Sequence, residues 1–270
     1  MTSPTLAVTT SVRPNAALEA EARAVSAELA APFAPRGNKS LAEVFTETSA
    51  DRLLIVAEGR LRLRDRDTGT EYFYHPNLFL TRGSQVLENG PDTDPFLRAT
   101  GLTPGGSLLD CTLGFASEAA LASLAVGEAG RVVGVESVPA LACVTRRGAA
   151  AFPLQNKILE AALRRVEVRT GDSRAFLAEC ADGAFDVVYF DPFFPERVPG
   201  SEASMSPLFV FGNPAPLDAA AVLEAQRVAR RRVVIKHPRH APLPPEMAEL
   251  VSETVGSPKS RLVYSVLAKM

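Results

Sequence analysis

The sequence predicts an α/β protein: a doubly wound, mostly parallel sheet preceded by a small N-terminal α/β domain. Three observations carry this. From residue 107 onward, apolar runs of strand length alternate with helical stretches, the pattern of a parallel sheet covered by helices on both faces. Ahead of residue 75 the order differs, with one short strand, two helices and then an alternating hairpin. The 270 residues, 46% of them hydrophobic, suit one large domain with a smaller appendage.

In the N-terminal part, "TLAVTTS" (residues 5–11) reads as a short strand. "AALEAEARAVSAELA" (16–30) reads as a helix, with Leu18, Ala22, Val25 and Leu29 near one face. "APFAPRGNKS" is a Pro/Gly loop, and "SLAEVFTETS" is a second short helix with Ser40 as N-cap and Glu43 three residues on. "DRLLIVAEGRLRLRDRDTGTEYFYHP" is a hairpin. Its second strand puts Arg60, Arg62, Arg64 and Arg66 on one face and Leu61 and Leu63 on the other. That arginine face is either a solvated surface or a cationic one that meets phosphates. Residues 1–75 are therefore expected to form the small domain, 76–106 a connector with short helices, and 107–270 the large domain.

In the large domain the strand-like runs are "SLLDCTL", "RVVGVES", "VEVRTGD", "FDVVYFDP" and "RVVIKHP", with "SRLVYSVLAK" closing the chain. The helices between them are "ASEAALASLAVG", "PALACVTRRGAAAF", "SRAFLAECA", "LDAAAVLEAQRVARR" and "PPEMAELVSETVG". Ligands of such sheets lie beyond the carboxyl ends of the strands, so chemistry is sought there.

The bulk numbers narrow the classes. Charged residues make up 22% and the net charge is −2, so no global basic field demands a nucleic acid, although local patches can serve. Cys111, Cys143 and Cys180 are too widely spaced for a zinc site and fit a reduced, cytoplasmic setting. "MTSPTLAVTTSVRPN" lacks the basic stretch and long apolar core of a signal peptide. No apolar run approaches the roughly 20 residues that span a bilayer.

Each of the first four strands of the large domain ends on a carboxylate. Asp110 ends the first, and Gly114 lets the chain turn into a helix. Ala116 and Ala119 stand near the other places of a G-x-G-x-x-G turn, so the close backbone approach that a pyrophosphate needs is missing and a dinucleotide fits poorly. Glu136 ends the second strand, 22 residues beyond Gly114, where an acid can accept both hydroxyls of a ribose. Asp172 and Ser173 follow the third, placed to read the polar edge of an adenine. Asp191 follows the fourth, in "FDPFFP". The plainer alternative is that Asp110 and Asp172 cap helices. Taken together, the four acids suit a nucleoside with an uncharged or zwitterionic tail, a description that S-adenosylmethionine meets.

"LLDCTLGFASEA", "VVGVES", "RTGDS" and "VVYFDPFFP" resemble the successive motifs of class I S-adenosylmethionine-dependent methyltransferases. With "RRVVIKHPRHAPLPP", they resemble more narrowly the bacterial small-subunit ribosomal RNA guanine-N2 methyltransferases and their uncharacterised relatives. The resemblance covers roughly residues 72–270. It implies a Rossmann-like class I methyltransferase fold, S-adenosylmethionine as cofactor, no metal, and RNA as partner, either small-subunit rRNA or a ribosomal particle. It implies that Asp110, Thr112 and Gly114 shape the turn under the methionine part, with Ser117 and Glu118 lining the same pocket. Glu136 and Ser137 would hold the ribose, Asp172 and Ser173 would flank the adenine, and Asp191 would sit between cofactor and substrate. The chain departs from the ribosomal pattern at Ala116, where a second glycine is usual, and at Ser117-Glu118, where an Arg-Asp pair is usual. Only one clear strand follows the last helix, so an incomplete terminal hairpin is expected.

An exocyclic amine is a poor nucleophile because its lone pair is delocalised into the ring. Asp191 can accept one amine hydrogen and the carbonyls around Pro192 another, turning the lone pair toward the methyl group. Phe193 or Phe194 can stack on the base. Cys111 lies inside the cofactor turn, which argues against a cysteine nucleophile. Residues 226–241 carry Arg227, Arg230, Arg231, Arg232, Lys236, Arg239, His237 and His240 and no acid. Of these, Arg232, Lys236, His237 and Arg239 are expected to meet RNA. "PERVPGSEASMSPLFVFGNP" reads as a long loop suited to a substrate lid. Two other readings stay open: a methyltransferase of this fold acting on DNA adenine, a protein or a small molecule, and a non-catalytic binding protein.

Overall fold

The structure, a computed structural model of the chain, describes residues 4–193 and 202–269. Its N-terminal sheet has the order β1-β2-β3-β4, formed by β1 (Leu6–Thr10), β2 (Arg52–Ala57), β3 (Arg60–Asp65) and β4 (Glu71–Phe73). β1 and β2 are parallel, and the other pairs are antiparallel. Between β1 and β2 run α1 (Ala16–Glu28) and α2 (Leu41–Thr48). The expected capping box opens α2: the Ser40 hydroxyl accepts from the Glu43 N–H, and the Glu43 carboxylate accepts from the Ser40 N–H.

The arginines of the β2–β3 hairpin do share a face, as period two requires, but three of the four are paired with acids, and Arg60 lies over the Phe73 ring. Arg62 and Arg64 both reach Glu71, and Arg66 reaches Asp51. On the same face α2 packs Val44 and Phe45 against Leu53 and Ile55. The opposite face, with Leu54, Val56, Leu61 and Leu63, is continuous with the core of the large sheet.

Residues 76–106 hold α3 (Asn77–Asn89) and α4 (Pro95–Thr100), the latter capped by Asp94. The large sheet then follows. Its strands are β5 (Ser107–Asp110), β6 (Arg131–Glu136), β7 (Glu167–Thr170), β8 (Phe185–Phe190), β9 (Ala229–Pro238), β10 (Val251–Val255) and β11 (Leu262–Ala268). They stand in the order β7-β6-β5-β8-β9-β11-β10, parallel from β7 to β9, with β11 antiparallel to both its neighbours. The helices are α5 (Ser117–Val126), α6 (Pro139–Ala151), α7 (Lys157–Arg164), α8 (Ser173–Glu179), α9 (Glu202–Phe211), α10 (Ala219–Val228) and α11 (Pro245–Ala248). Alternate strand residues face opposite cores: Leu108, Val187 and Tyr189 pack toward the N-terminal sheet, while Leu109, Val188 and Phe190 pack toward α8 and α10.

Four readings of the sequence change. The helix α7, capped by Asn156, lies in a stretch that carried no assignment. Only the start of the basic run ends a helix: Arg227 lies in the last turn of α10, which stops at Val228, while Arg230, Arg231 and Arg232 stand on β9, drawn into the sheet by pairing with β8. The terminal hairpin is complete: α11 is one turn long, and "VSETV" forms the edge strand β10 against β11. Its three middle residues are exposed, which hides the strand from a search for apolar runs.

The fourth change concerns the expected lid. Its residues 195–201, and Phe194 before it, lie outside the described residues. The rest is largely α9, despite Pro207 within it. Tertiary contacts hold that helix. Phe211 is fully buried against Tyr72, and the Arg52 guanidinium donates to the carbonyls of Val210 (2.7 Å) and Phe211 (3.4 Å) at the helix end.

Candidate active site

The carboxyl ends of the parallel strands open into a cleft of roughly 360 Å³. Asp110, Thr112, Gly114, Ser117, Glu118, Glu136, Ser137, Asp172, Ser173, Asp191, Pro192, Phe193, Lys236 and His237 all line it. Arg232 and Arg239 do not.

The turn after β5 is built from short hydrogen bonds. Asp110 Oδ1 accepts from the Thr112 N–H at 2.9 Å and from its hydroxyl at 3.3 Å. Thr112 Oγ1 in turn accepts from the Asp191 N–H at 2.6 Å. One threonine thereby ties the end of β8 to the end of β5. Gly114 has φ +49° and Ala116 has φ +58°. Both are left-handed, which explains why glycine is the usual residue at the second place: an alanine there costs about 1–2 kcal/mol of backbone strain. Burial pushes the Asp110 carboxyl up to about 8, opposed by the bonds from Thr112 and reinforced by the charges of Glu118 and Asp191.

Glu136 is tied to the same turn. Its Oε2 accepts from the Gly114 N–H at 3.2 Å and its Oε1 from the Val138 N–H at 2.9 Å. Burial raises its carboxyl, and these backbone donors oppose that shift. Asp172 does cap a helix, its Oδ1 accepting from the N–H groups of Arg174 and Ala175 at the start of α8. Arg174 also pairs with Asp218 across the rim, at 3.1 Å.

Arg82 and Asp94, which no sequence motif announces, join Glu118, Lys236 and Asp191 in a buried ion network under the cleft. Arg82 on α3 grips Asp94 with Nε and NH2, at 2.8 and 3.0 Å, and reaches Glu118 Oε1 at 2.8 Å. Lys236 Nζ lies 3.3 Å from the same Glu118 oxygen and 2.7 Å from Asp191 Oδ2. Burial disfavours the charge on Glu118, but Lys236 and then Arg82 outweigh it and hold its carboxyl down at about 2. Burial likewise raises Asp191, with Lys236 pulling it down and Glu118 pushing it up. The N-terminal sheet also reaches the site. The Tyr72 hydroxyl meets Thr145 Oγ1 at 2.9 Å, and Thr145 donates to the Gly114 carbonyl at 2.9 Å. Phe115, which stacks on Tyr72, and His75 line the cleft on that side.

Of the cations expected to meet RNA, Lys236 and His237 line the cleft but are held by protein partners, and Arg232 and Arg239 lie away from it. Lys236 is almost enclosed and paired to two carboxylates. Arg232 stands near the opposite end of β9 and donates to the Ala99 carbonyl. His237 is buried, with Nε2 on Ser265 Oγ at 2.9 Å. Arg239 braces the β10–β11 loop through the carbonyls of Ser257 and Ser260. Each has a partner within the fold, on α4, α5, the end of β8, β11 or the β10–β11 loop. Phe193 stands at the cleft, its ring 5.3 Å from that of Phe209.

The residues present fit S-adenosylmethionine. A left-handed turn at Gly114 brings backbone close to the cleft floor, Glu136 and Asp172 offer acceptors after β6 and β7, and Asp110 and Asp191 bring carboxyl oxygens to the cleft from the ends of β5 and β8. Among the described residues, no group of three His, Cys, Asp or Glu could hold a metal, and no helix is long and apolar enough to cross a membrane.

Comparison with known proteins agrees with this geometry. Residues 40–255 match the family described as "Putative SAM-dependent methyltransferase". An uncharacterised protein, YpiP of Bacillus subtilis strain 168, is 38% identical over 229 residues, covering 85% of this chain and 87% of that one. Ribosomal RNA small subunit methyltransferase J of Dechloromonas aromatica is 32% identical over 168 residues, 58% of this chain and 64% of its own. The Cellvibrio japonicus protein of the same name is 33% identical over 156 residues, 54% and 57% of the two chains. In fold, the chain is similar to the S-adenosylmethionine-dependent methyltransferase NGO1261 of Neisseria gonorrhoeae, with TM-score 0.64 at 16% identity, covering 97% of this chain and 95% of that one. The chain belongs to this family of S-adenosylmethionine-dependent methyltransferases, and S-adenosylmethionine is its cofactor.

Proposed function

We propose that the protein methylates an exocyclic base nitrogen of ribosomal RNA, guanine N2 by resemblance. The observation that carries this reading is Asp191. It follows β8 directly, its backbone is held to the cofactor turn through Thr112, and Pro192 and Phe193 continue from it along the cleft. The likeness to two proteins named ribosomal RNA small subunit methyltransferase J supports the choice of substrate.

When bound, S-adenosylmethionine supplies an electrophilic methyl group on a sulfonium. The chain's own residues then have four tasks. Asp191 accepts an N–H of the target amine, so that the nitrogen lone pair turns away from the ring. Positioning the amine in line with the methyl supplies much of the rate. Asp191, or water beside it, would take up the proton that the amine gives up on methylation. Phe193 offers a face on which a base can stack, worth about 1–3 kcal/mol. A base inside a duplex must first be flipped out.

Nucleoside mass spectrometry of rRNA from a strain lacking the gene tests this. The expected result is loss of an N2-methylguanosine, restored by the wild-type gene and not by Asp191→Asn. Retention of every methylated guanosine would exclude the rRNA substrate, and a methyl group lost from DNA or protein instead would redirect the assignment.

A further inference from the structure

Asp191 is expected to act as an acceptor, and it ends a chain of five charged side chains whose other members take no part in that step as described above. The chain runs Asp94, Arg82, Glu118, Lys236, Asp191 and draws on the α4 cap, α3, α5, β9 and the end of β8. Its first four members are enclosed and its last faces the cleft: the side chains of Asp94, Arg82, Glu118 and Lys236 are 6%, 15%, 11% and 12% exposed, and that of Asp191 is 27% exposed. The network is anchored at its buried end, where Asp94 also caps α4 through the N–H groups of Phe96 and Leu97. It delivers a cation to one oxygen at the cleft. Lys236 binds Asp191 Oδ2, and among the described residues Oδ1 has no hydrogen-bond partner.

We infer that Lys236, braced by Glu118 and Arg82, is a positioning residue that clamps one oxygen of Asp191 and leaves the other as the single acceptor for the reacting amine. The inference rests on the reading of Asp191 as amine acceptor. Its physical basis is that a carboxyl in this enclosed patch otherwise gains a proton. A protonated Asp191 can rotate its O–H toward the amine and cease to accept from it. Lys236 opposes this by charge and fixes the carboxylate plane by geometry. A lone lysine would be free to swing off Asp191, whereas the Glu118 oxygen, itself held by Arg82, keeps the ammonium in place. The charged and titratable groups facing Asp191 are Lys236 on β9, Glu118 on α5, Arg82 on α3, Asp110 on β5, Tyr189 on β8 and Tyr264 on β11. Of these, Lys236 and Arg82 are the cations, and Lys236 alone touches Asp191.

The test is a carbon-13 NMR titration of aspartate carboxyls in the free protein, with the Asp191 signal assigned from its absence in Asp191→Asn. Lys236→Met removes the attraction and raises the Asp191 midpoint by about one pH unit or more, whereas Lys236→Arg keeps it within about half a unit. Glu118→Gln keeps the hydrogen bonds and removes a like charge, so it moves the midpoint down. Opposite shifts from two neighbours in one network are not what a merely structural brace produces. A midpoint that Lys236→Met fails to raise overturns the inference. If that variant does not fold, a midpoint that the isosteric Glu118→Gln fails to lower does so instead. The acid limb of kcat/KM on the RNA substrate then follows the same shifts. Because the titration uses the free protein, it can fail while methyl transfer to rRNA stands, and the reverse.

Discussion

Asp110 and Glu118 lie eight residues apart in the same enclosed patch and titrate in opposite directions. Glu118 has two cations within hydrogen-bond reach; Asp110 has none and is held mainly by Thr112. The consequences for stability differ in sign. Glu118, lowered from 4.5 to about 2, contributes stability that is present above pH 4.5 and lost as the pH falls toward 2. Asp110, raised from 3.8 to about 8, contributes stability that is present below pH 3.8 and lost as the pH rises through 8. Asp110→Asn removes the second titration while keeping an oxygen for Thr112. Thermal melts should therefore show its Tm relative to wild type rising by several degrees between pH 5 and pH 9. A difference that stays constant over that range would show that Asp110 is not titrating as a buried acid. The four strand-end acids were legible in the sequence because each is a local signal, a carboxylate at or just after a strand-like run. Arg82 was not, because its partners Glu118 and Asp94 lie 36 and 12 residues away and no motif joins them.

At the scale of elements, legibility followed burial. β5, β6, β8 and β9 are buried on both faces, read as apolar runs and were recognised as strands. β10 sits at the sheet edge with its middle residues exposed, and it was read as helix. α9 was read as loop because Pro207 argues against a helix locally, while Phe211 and Arg52 decide the matter from outside it. One close approach between elements is likewise invisible in sequence. Gly148 on α6 faces Tyr74, just beyond β4, and a methyl group there would overlap the Tyr74 Cβ and Cγ. Tyr74 is buried, so neither partner yields easily. Gly148→Ala should cost about 1–3 kcal/mol, read as a lower urea midpoint with unchanged slope. An unchanged midpoint would mean that α6 and the N-terminal sheet are not pressed together at this point.

At the scale of the whole molecule, the N-terminal sheet is joined to the site it precedes. Leu54, Val56, Leu61 and Leu63 share one core with α5 and α6, and Tyr72 reaches Thr145 beneath the Gly114 carbonyl. The alternating arginines of the β2–β3 hairpin had allowed a phosphate-binding face, yet Arg62, Arg64 and Arg66 are each paired with an acid. Much of the basic run on β9 also turns inward, to Glu118, Asp191 and backbone carbonyls. Sequence shows charge but not its partners, and most of these partners are distant in the chain. The polyanion reading therefore leans on the cleft, the DPFFP element and the named relatives, and no longer on a count of cations. The most direct test is methyl transfer by the purified protein from labelled S-adenosylmethionine to rRNA prepared from a strain lacking the gene, compared with Asp191→Asn. The account predicts N2-methylguanosine with the wild type and a loss of about 100-fold or more in the variant, the range of a positioned acid–base group. Labelled rRNA at equal rates from both proteins, or a wild type that binds S-adenosylmethionine and labels no RNA, would contradict it.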